Sequence, residues 1–228
     1  MVEHGGRRLA SGSGVVVASR AEEPGTEAMS YVLTAAHILD GKEGAELFVH
    51  FTGTYAARGK FAAIVFRQGN AETLDLALLG VPGIAVPPAP FPAVDRVRLG
   101  EEILVVGFPW GKRLGLFSGI VSQVPADGKG EATANEGAEQ TIVVDAAAAK
   151  GVSGGGVFRE ATGSLVGVVE GYQTASIAVK DRSQTYAVKV PMPGETFVVP
   201  VTRIRRFLDE AGLDAASGWP GSGAERTE

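Results

Sequence analysis

The sequence predicts an all-β protein of about twelve short strands, with one helix at its C-terminal end. Three observations predict it. Apolar, valine-rich runs recur through the 228 residues and are broken by turn-forming clusters, in a chain with 32 glycines and 12 prolines. Helical periodicity occurs convincingly once, over Thr202 to Leu213, where Ile204, Phe207, Leu208 and Ala211 share a face and Gly212 marks the stop. Prolines 82, 87, 88, 90 and 92 forbid a helix or a central strand between Val81 and Val94, and leave about six strands on either side. Antiparallel barrels or a sandwich are the closures open to such a chain.

Taken in order, residues 1–10 are polar and are expected to be loosely held. Ser11-Gly12-Ser13-Gly14 leads into a strand at Val15 to Ala18, and Glu-Glu-Pro-Gly within 21–28 is a turn. Tyr31 to Thr34 is a strand that runs into a short helical turn at Ala35 to Leu39, which Asp40 to Gly44 breaks. Strands follow at Ala45 to Thr52, Phe61 to Arg67 and Asp75 to Leu79. After the proline connector come Ile103 to Gly107, a turn at Phe108 to Gly111, and Leu116 to Val124 with a bulge at Gly119. Ala126 to Ala138 is polar and expected to be a mobile loop. Thr141 to Val144, Gly156 to Phe158, Leu165 to Val169, Ser183 to Val190 and Phe197 to Val201 complete the strands. The expected units are 1–95, 96–213 and a disordered tail, 214–228.

Composition narrows the functions. A net charge of −5 implies no basic face, which argues against a nucleic-acid binder or a binder of anionic membranes. No run of about twenty apolar residues predicts a membrane span. The polar start, Met1 to Ser13, lacks the apolar segment of a signal peptide, so a cytosolic chain is expected, or a secreted or periplasmic one if a signal was removed. Without cysteine there is no disulfide or thiolate chemistry, and three histidines with no close pair give no zinc motif.

The stretch with chemical content is Gly151-Val152-Ser153-Gly154-Gly155-Gly156, directly after a buried strand. Glycines beside a serine let backbone N–H groups converge near its hydroxyl, which an acyl-transfer nucleophile needs. Such a serine requires a base and a carboxylate. His37 ends a strand that passes through two alanines, whereas His4 lies in the polar start and His50 within an ordinary strand. Asp75 sits in the apolar run Leu74 to Leu79, where a carboxylate must be paired or lie on an edge. Asp40 and Asp145 are rivals near turns.

Leu33-Thr34-Ala35-Ala36-His37, Asp75-Leu76-Ala77-Leu78-Leu79 and Gly151-Val152-Ser153-Gly154-Gly155 together resemble the signature blocks of chymotrypsin-fold serine proteases, in that family's His, Asp, Ser order. Ser11 to Val15, Val106 to Gly111, Ser118 to Ser122 and Asp145-Ala146-Ala147 resemble its cysteine-free bacterial HtrA/DegP-like branch. The resemblance spans roughly 11–210. It implies two six-stranded antiparallel β-barrels with a site in the cleft between them, crossed by the proline connector. It implies His37, Asp75 and Ser153 as the triad, the N–H groups of Gly151 and Ser153 as the oxyanion hole, and no metal or cofactor. The pocket would be lined by Ala147, Ala148, Glu170, Gly171, Tyr172 and Thr196. No aspartate lies at its floor, so a small or medium apolar side chain is expected, with Glu170 the feature that would favour a basic one.

The sequence departs from the family in places. Val152 stands where zymogen-activated relatives have aspartate, which argues against that activation salt bridge. Lys150 and Gly156 replace the prolines common in the HtrA-like branch, which predicts a flexible oxyanion loop that collapses at rest. A helix and a polar tail follow the protease region, where that branch usually carries a PDZ domain; a regulatory partner or fused module would then act in its place. The implied activity is endopeptidase cleavage of polypeptides, in regulatory or quality-control proteolysis. The alternative is a catalytically silent peptide-binding scaffold. A Gly-x-Ser-x-Gly esterase of another fold is excluded by chain order, since no histidine follows Ser153.

Overall fold

The computed structural model describes residues 1–52, 59–125, 141–147, 149–180, 184–214 and 219–220. The fold is all-β, as expected. Its N-terminal half comprises β1 (Val2–His4), β2 (Arg7–Ala10), β3 (Val15–Arg20), β4 (Met29–Thr34), β5 (Glu46–Phe51), β6 (Gly59–Gln68) and β7 (Ala77–Pro82). These form a seven-stranded antiparallel sheet in the order β2-β1-β5-β6-β7-β4-β3. The C-terminal half comprises β8 (Glu102–Gly107), β9 (Gly115–Gln123), β10 (Ile142–Asp145), β11 (Gly156–Arg159), β12 (Leu165–Lys180) and β13 (Thr185–Pro200). They close into a six-stranded barrel, β10-β13-β12-β11-β8-β9. Helix α1 (Val201–Asp209) follows, and then β14 (Leu213–Asp214) pairs with β15 (Trp219–Pro220).

Residues 1–10 are not loose, and they make the first sheet seven-stranded rather than six. Gly5 and Gly6, at φ 55° and 76°, close a tight hairpin between β1 and β2. β1 pairs with β5, Val2 is 1% exposed, and the Met1 ammonium donates to Phe48 O at 2.8 Å. The polar composition hid a Gly-Gly turn signal.

The two strands expected at Ser183 to Val190 and Phe197 to Val201 are one, β13. Pro191 and Pro193 lie within it, where a strand paired on both sides has no place for proline. However, β10 covers β13 only from Thr196 to Val198, and a strand with one open side tolerates proline. β12 likewise runs on to Lys180. Beyond the barrel the pair forms a two-stranded ribbon, with Ala175, Ile177 and Val179 opposite Val190, Val188 and Tyr186. Helix α1 ends before the expected Leu213. Ala211 and Gly212 donate to Leu208 O and Asp209 O, a tighter i−3 pattern, and Leu213 enters β14 buried. The loop expected over 126–138 lies outside the described residues, as do 215–218 and 221–228 of the tail.

The main core joins the two halves. Val15, Val17, Tyr31, Leu76 and Leu78 from the first pack with Leu165, Val168, Val199, Ile204, Phe207, Leu208 and Leu213 from the second. The proline connector is pinned across this seam by Ala89 N–H to Val16 O (2.8 Å) and Leu165 N–H to Pro90 O (2.8 Å). Helix α1 adds Arg205, which donates to Asp95 Oδ1 (3.0 Å) and Pro92 O (2.7 Å) and stacks on Phe91. Phe207 is 1% exposed in this core and lies beneath the Arg67 guanidinium. Phe207→Ala is expected to cost about 3–5 kcal/mol in equilibrium urea unfolding, whereas truncating the exposed Leu114 changes stability by less than about 0.5 kcal/mol.

Candidate active site

β4 runs into Ala35 and Ala36, both fully buried, and a single 3₁₀ turn, Ala36–Ile38, then presents His37. Asp75 lies just before β7 and uses both carboxylate oxygens on that residue. Oδ1 accepts the His37 backbone N–H at 2.8 Å, and Oδ2 lies 2.6 Å from Nδ1. An ionised carboxylate only accepts, so Nδ1 carries the proton and the neutral ring leaves Nε2 as a free acceptor. The Asp75 side chain is 4% exposed and that of His37 is 44% exposed, so the carboxylate is enclosed while the imidazole can be reached.

The bond to Asp75 raises the His37 pKa above its ordinary value; burial opposes it, and the charges of Asp75, Asp40 and Glu170 add to it. Among the described residues this is the only histidine–carboxylate pair. Asp40 is exposed and accepts from Gln68 instead, Asp145 is exposed on β10, and His4 and His50 are exposed.

The serine loop is built against the same strand end. Gly154 has φ 83°, and a Cβ there would collide with Ser13 O and Thr34 Oγ1 and approach Ala35 N to 3.0 Å. Only glycine lets Ser153 come this close to the segment that carries His37. Gly151, at φ 97°, leaves no room either, since a Cβ would sit 2.6 Å from Phe108 O.

The loop's own bonds run from Val152 N–H to Ala149 O (3.0 Å), Gly154 N–H to Val169 O (2.7 Å) and Gly155 N–H to Val152 O (2.7 Å). Among the described residues, neither Gly151 N–H nor Ser153 N–H finds an acceptor. The Lys150 carbonyl accepts Trp110 N–H at 2.6 Å, and in a trans peptide this turns the Gly151 N–H the opposite way. That geometry disfavours the collapsed loop expected from the missing prolines. Trp110 itself has φ 58°, an uncommon value for a bulky residue, in the turn that grips this carbonyl.

The described residues read as a pocket lie on neighbouring segments. Tyr172 pairs with Thr196 and Gly171 with Phe197 across β12 and β13. Thr196 is 2% exposed and its hydroxyl donates to Ala146 O at 2.9 Å, which holds the segment leading to the exposed Ala147. Ala148 lies outside the described residues. Glu170 is half-buried. Burial raises its pKa most, the charge of Asp75 adds to this, and Arg203, His37 and the Thr141 hydroxyl lower it.

Sequence reasoning missed the role of Ser13. Its N–H donates to Ser153 O (2.8 Å), its hydroxyl donates to Gly151 O (2.7 Å) and accepts Phe108 N–H (2.8 Å), and its carbonyl accepts the Thr34 hydroxyl (2.6 Å). The Ser-Gly-Ser-Gly block was visible, but its bonds are all long-range. Arg203 was also missed, because its partner, Thr73 O, lies 130 residues away in sequence.

The trypsin-like peptidase domain matches residues 12–168. A probable periplasmic serine endoprotease DegP-like from Pseudomonas savastanoi pv. phaseolicola is 26% identical over 193 residues, covering 84% of this chain and 35% of that protein. The serine protease PepD of Mycobacterium tuberculosis is 30% identical over 145 residues, 62% of this chain and 30% of its own length. The chain thus spans about a third of the length of these curated relatives. A crystal structure of the serine endoprotease from Yersinia pestis superposes with a TM-score of 0.62 at 20% identity, covering 90% of this chain and 60% of that one. This likeness is one of fold, a chymotrypsin-like double barrel with one closed six-stranded member and a C-terminal helix. The match over residues 12–168 takes in the His37, Asp75 and Ser153 segments alike, and the chain belongs to the trypsin-like peptidase domain family.

Proposed function

We propose that this chain is the peptidase unit of a serine endopeptidase acting on polypeptides, with Ser153, His37 and Asp75 as nucleophile, base and orienting carboxylate. The observation that carries the reading is the doubly bonded Asp75–His37 pair beside a serine loop whose Gly151 and Ser153 N–H groups have no acceptor among the described residues.

Ser153 Oγ attacks the scissile carbonyl as His37 Nε2 takes its proton. The imidazolium then returns that proton to the leaving amine, and water repeats the sequence on the acyl-enzyme. Asp75 fixes the tautomer and balances the imidazolium charge. Gly151 N–H and Ser153 N–H receive the oxyanion, and one such donor is worth about 10²–10³ in rate. Tyr172, Gly171, Glu170, Ala147, Ala148 and Thr196 surround the side chain on the acyl side; with no acid at the floor, a small or medium apolar residue fits. The relatives named periplasmic favour a secreted or periplasmic setting over the cytosolic one expected from the sequence.

A fluorophosphonate probe, together with profiling of cleavage sites in a peptide mixture, tests the proposal. The wild type is expected to label and cleave, and Ser153→Ala to do neither. A wild type that never labels would mean a silent scaffold.

The pH profile follows from His37. Its base form is needed and its pKa is raised, so the labelling rate should fall as pH drops through a midpoint above about 6.5, the ordinary histidine value. Asp75→Asn should slow labelling by about 10⁴-fold.

Ser13→Ala removes the partner of two enclosed groups, Gly151 O and Phe108 N–H. It should cost about 1–3 kcal/mol in urea unfolding and slow labelling at least about tenfold by loosening the oxyanion loop.

A further inference from the structure

The N-terminal sheet does not close. It has β2 at one edge and β3 at the other, and these two strands are not paired. Residues Ser11 to Gly14 cross between them and line a cavity of about 350 Å³. Its walls include Val16, Val32, Ile38, Leu47, Val49 and Leu79, aliphatic side chains from separate segments. Leu47 and Val49 pack against the core there and yet stay half-buried. The enclosed hydroxyls on the wall are already bonded, Ser13 to Gly151 O and Phe108 N–H, and Thr34 to Ser13 O. Such a space offers water few partners and suits an apolar guest. Its volume is near the lower end of the range of about 300–1,000 Å³ for small-molecule sites, which favours a single chain.

The rim carries charge of one sign. Arg8 and Lys112 line the cavity and are exposed, which places them at its mouth. A Cβ at Gly111 would lie 3.3 Å from Arg8 Nη1, so the guanidinium rests against the turn that Lys112 follows. Neither cation has an ion-pair partner among the described residues. Glu3 stands opposite Arg8 in the β1–β2 ladder, but its carboxylate accepts Lys60 Nζ at 2.6 Å. Among the described residues no acidic side chain lines the cavity.

We propose that this cavity binds an amphipathic carboxylate with one acyl chain, its tail inside the N-terminal sheet and its head at Arg8 and Lys112. The tail removes apolar wall from water, and the head meets two cations that hold no other anion. The site shares a wall with the support of the serine loop. Ser13, which holds Gly151 O and Ser153 O, lines the cavity with its partners Thr34 and Phe108, and Ile38 directly follows His37. An occupant therefore touches the segments that position both ends of the candidate site and restrains them.

Calorimetric titration of the full chain with decanoate, below its micelle concentration, tests the site. The wild type is expected to bind one equivalent. Decyltrimethylammonium, with the same tail and the opposite charge, should bind at least about tenfold more weakly. Arg8→Glu combined with Lys112→Glu should weaken decanoate by about tenfold. Val49→Phe, which fills the cavity, should abolish binding. A wild type that does not bind decanoate overturns the proposal, and so does equal affinity for the cationic amphiphile. Decanoate binding retained in a Val49→Phe protein with a cooperative thermal transition also overturns it; if that variant does not fold, Leu47→Phe and the two exposed charge reversals carry the test on the same terms. Binding of a lysophosphatidate of the same chain length in place of decanoate would overturn the carboxylate in favour of a lipid headgroup. Saturating decanoate should also slow amide exchange over residues 151–155, and exchange unchanged at saturation overturns the link to the serine loop. Binding and exchange are read without turnover, so this proposal and the peptidase reading fail separately.

Discussion

Everything at the candidate site hangs on Ser13. This 5%-exposed residue spends its polar groups on three segments: its N–H on Ser153, its hydroxyl on Gly151 and Phe108, and its carbonyl on Thr34. The serine loop, the turn over 108–111 and the strand leading to His37 therefore meet at one point. Enclosed polar groups are expensive to leave unpaired, so the three segments cannot shift independently. A hydroxyl that donates and accepts at once can do this, and no apolar residue of similar size can. The glycines of the loop follow from the same constraint, since Gly154 must pass between Ser13 O and Thr34 Oγ1.

The second constraint is electrostatic. Asp75 is enclosed in an apolar run, where an unpaired charge would be costly or would be neutralised. Its two bonds to His37 meet the need and also decide which imidazole nitrogen faces solvent. A folding requirement and a chemical requirement are thus met by the same 2.6 Å contact. The carboxylate is stabilised by the ring, and the ring is oriented by the carboxylate.

Much of this was legible in the sequence because it is local. Short valine-rich runs, the proline connector and the order His37, Asp75, Ser153 are each visible within a few residues. The hairpin of β1 and β2 was not, because polar composition outweighed the Gly5-Gly6 turn; nor was the continuity of β13, because Pro191 and Pro193 fit a strand only where the neighbour on one side is missing. The roles of Ser13 and Arg203 were hidden for a different reason. Ser13 and Gly151 are 138 positions apart, and Arg203 and Thr73 are 130 apart. No periodicity or spacing encodes such partners; they exist only once the halves dock.

Docking is therefore part of the site rather than background to it. His37 and Asp75 belong to the N-terminal half, while Ser153, Glu170 and Arg203 follow the connector. The largest buried cluster draws its side chains from both sets and from α1. A helix that follows the second barrel in sequence closes the seam with the first, through Phe207 in the core, Arg67 paired with Glu210, and Arg203 on the Thr73 carbonyl. Neither half by itself holds both His37 and Ser153. The geometry of the candidate site thus depends on the apolar interface between the halves, and changes in that interface reach His37, Asp75 and Ser153 without touching them.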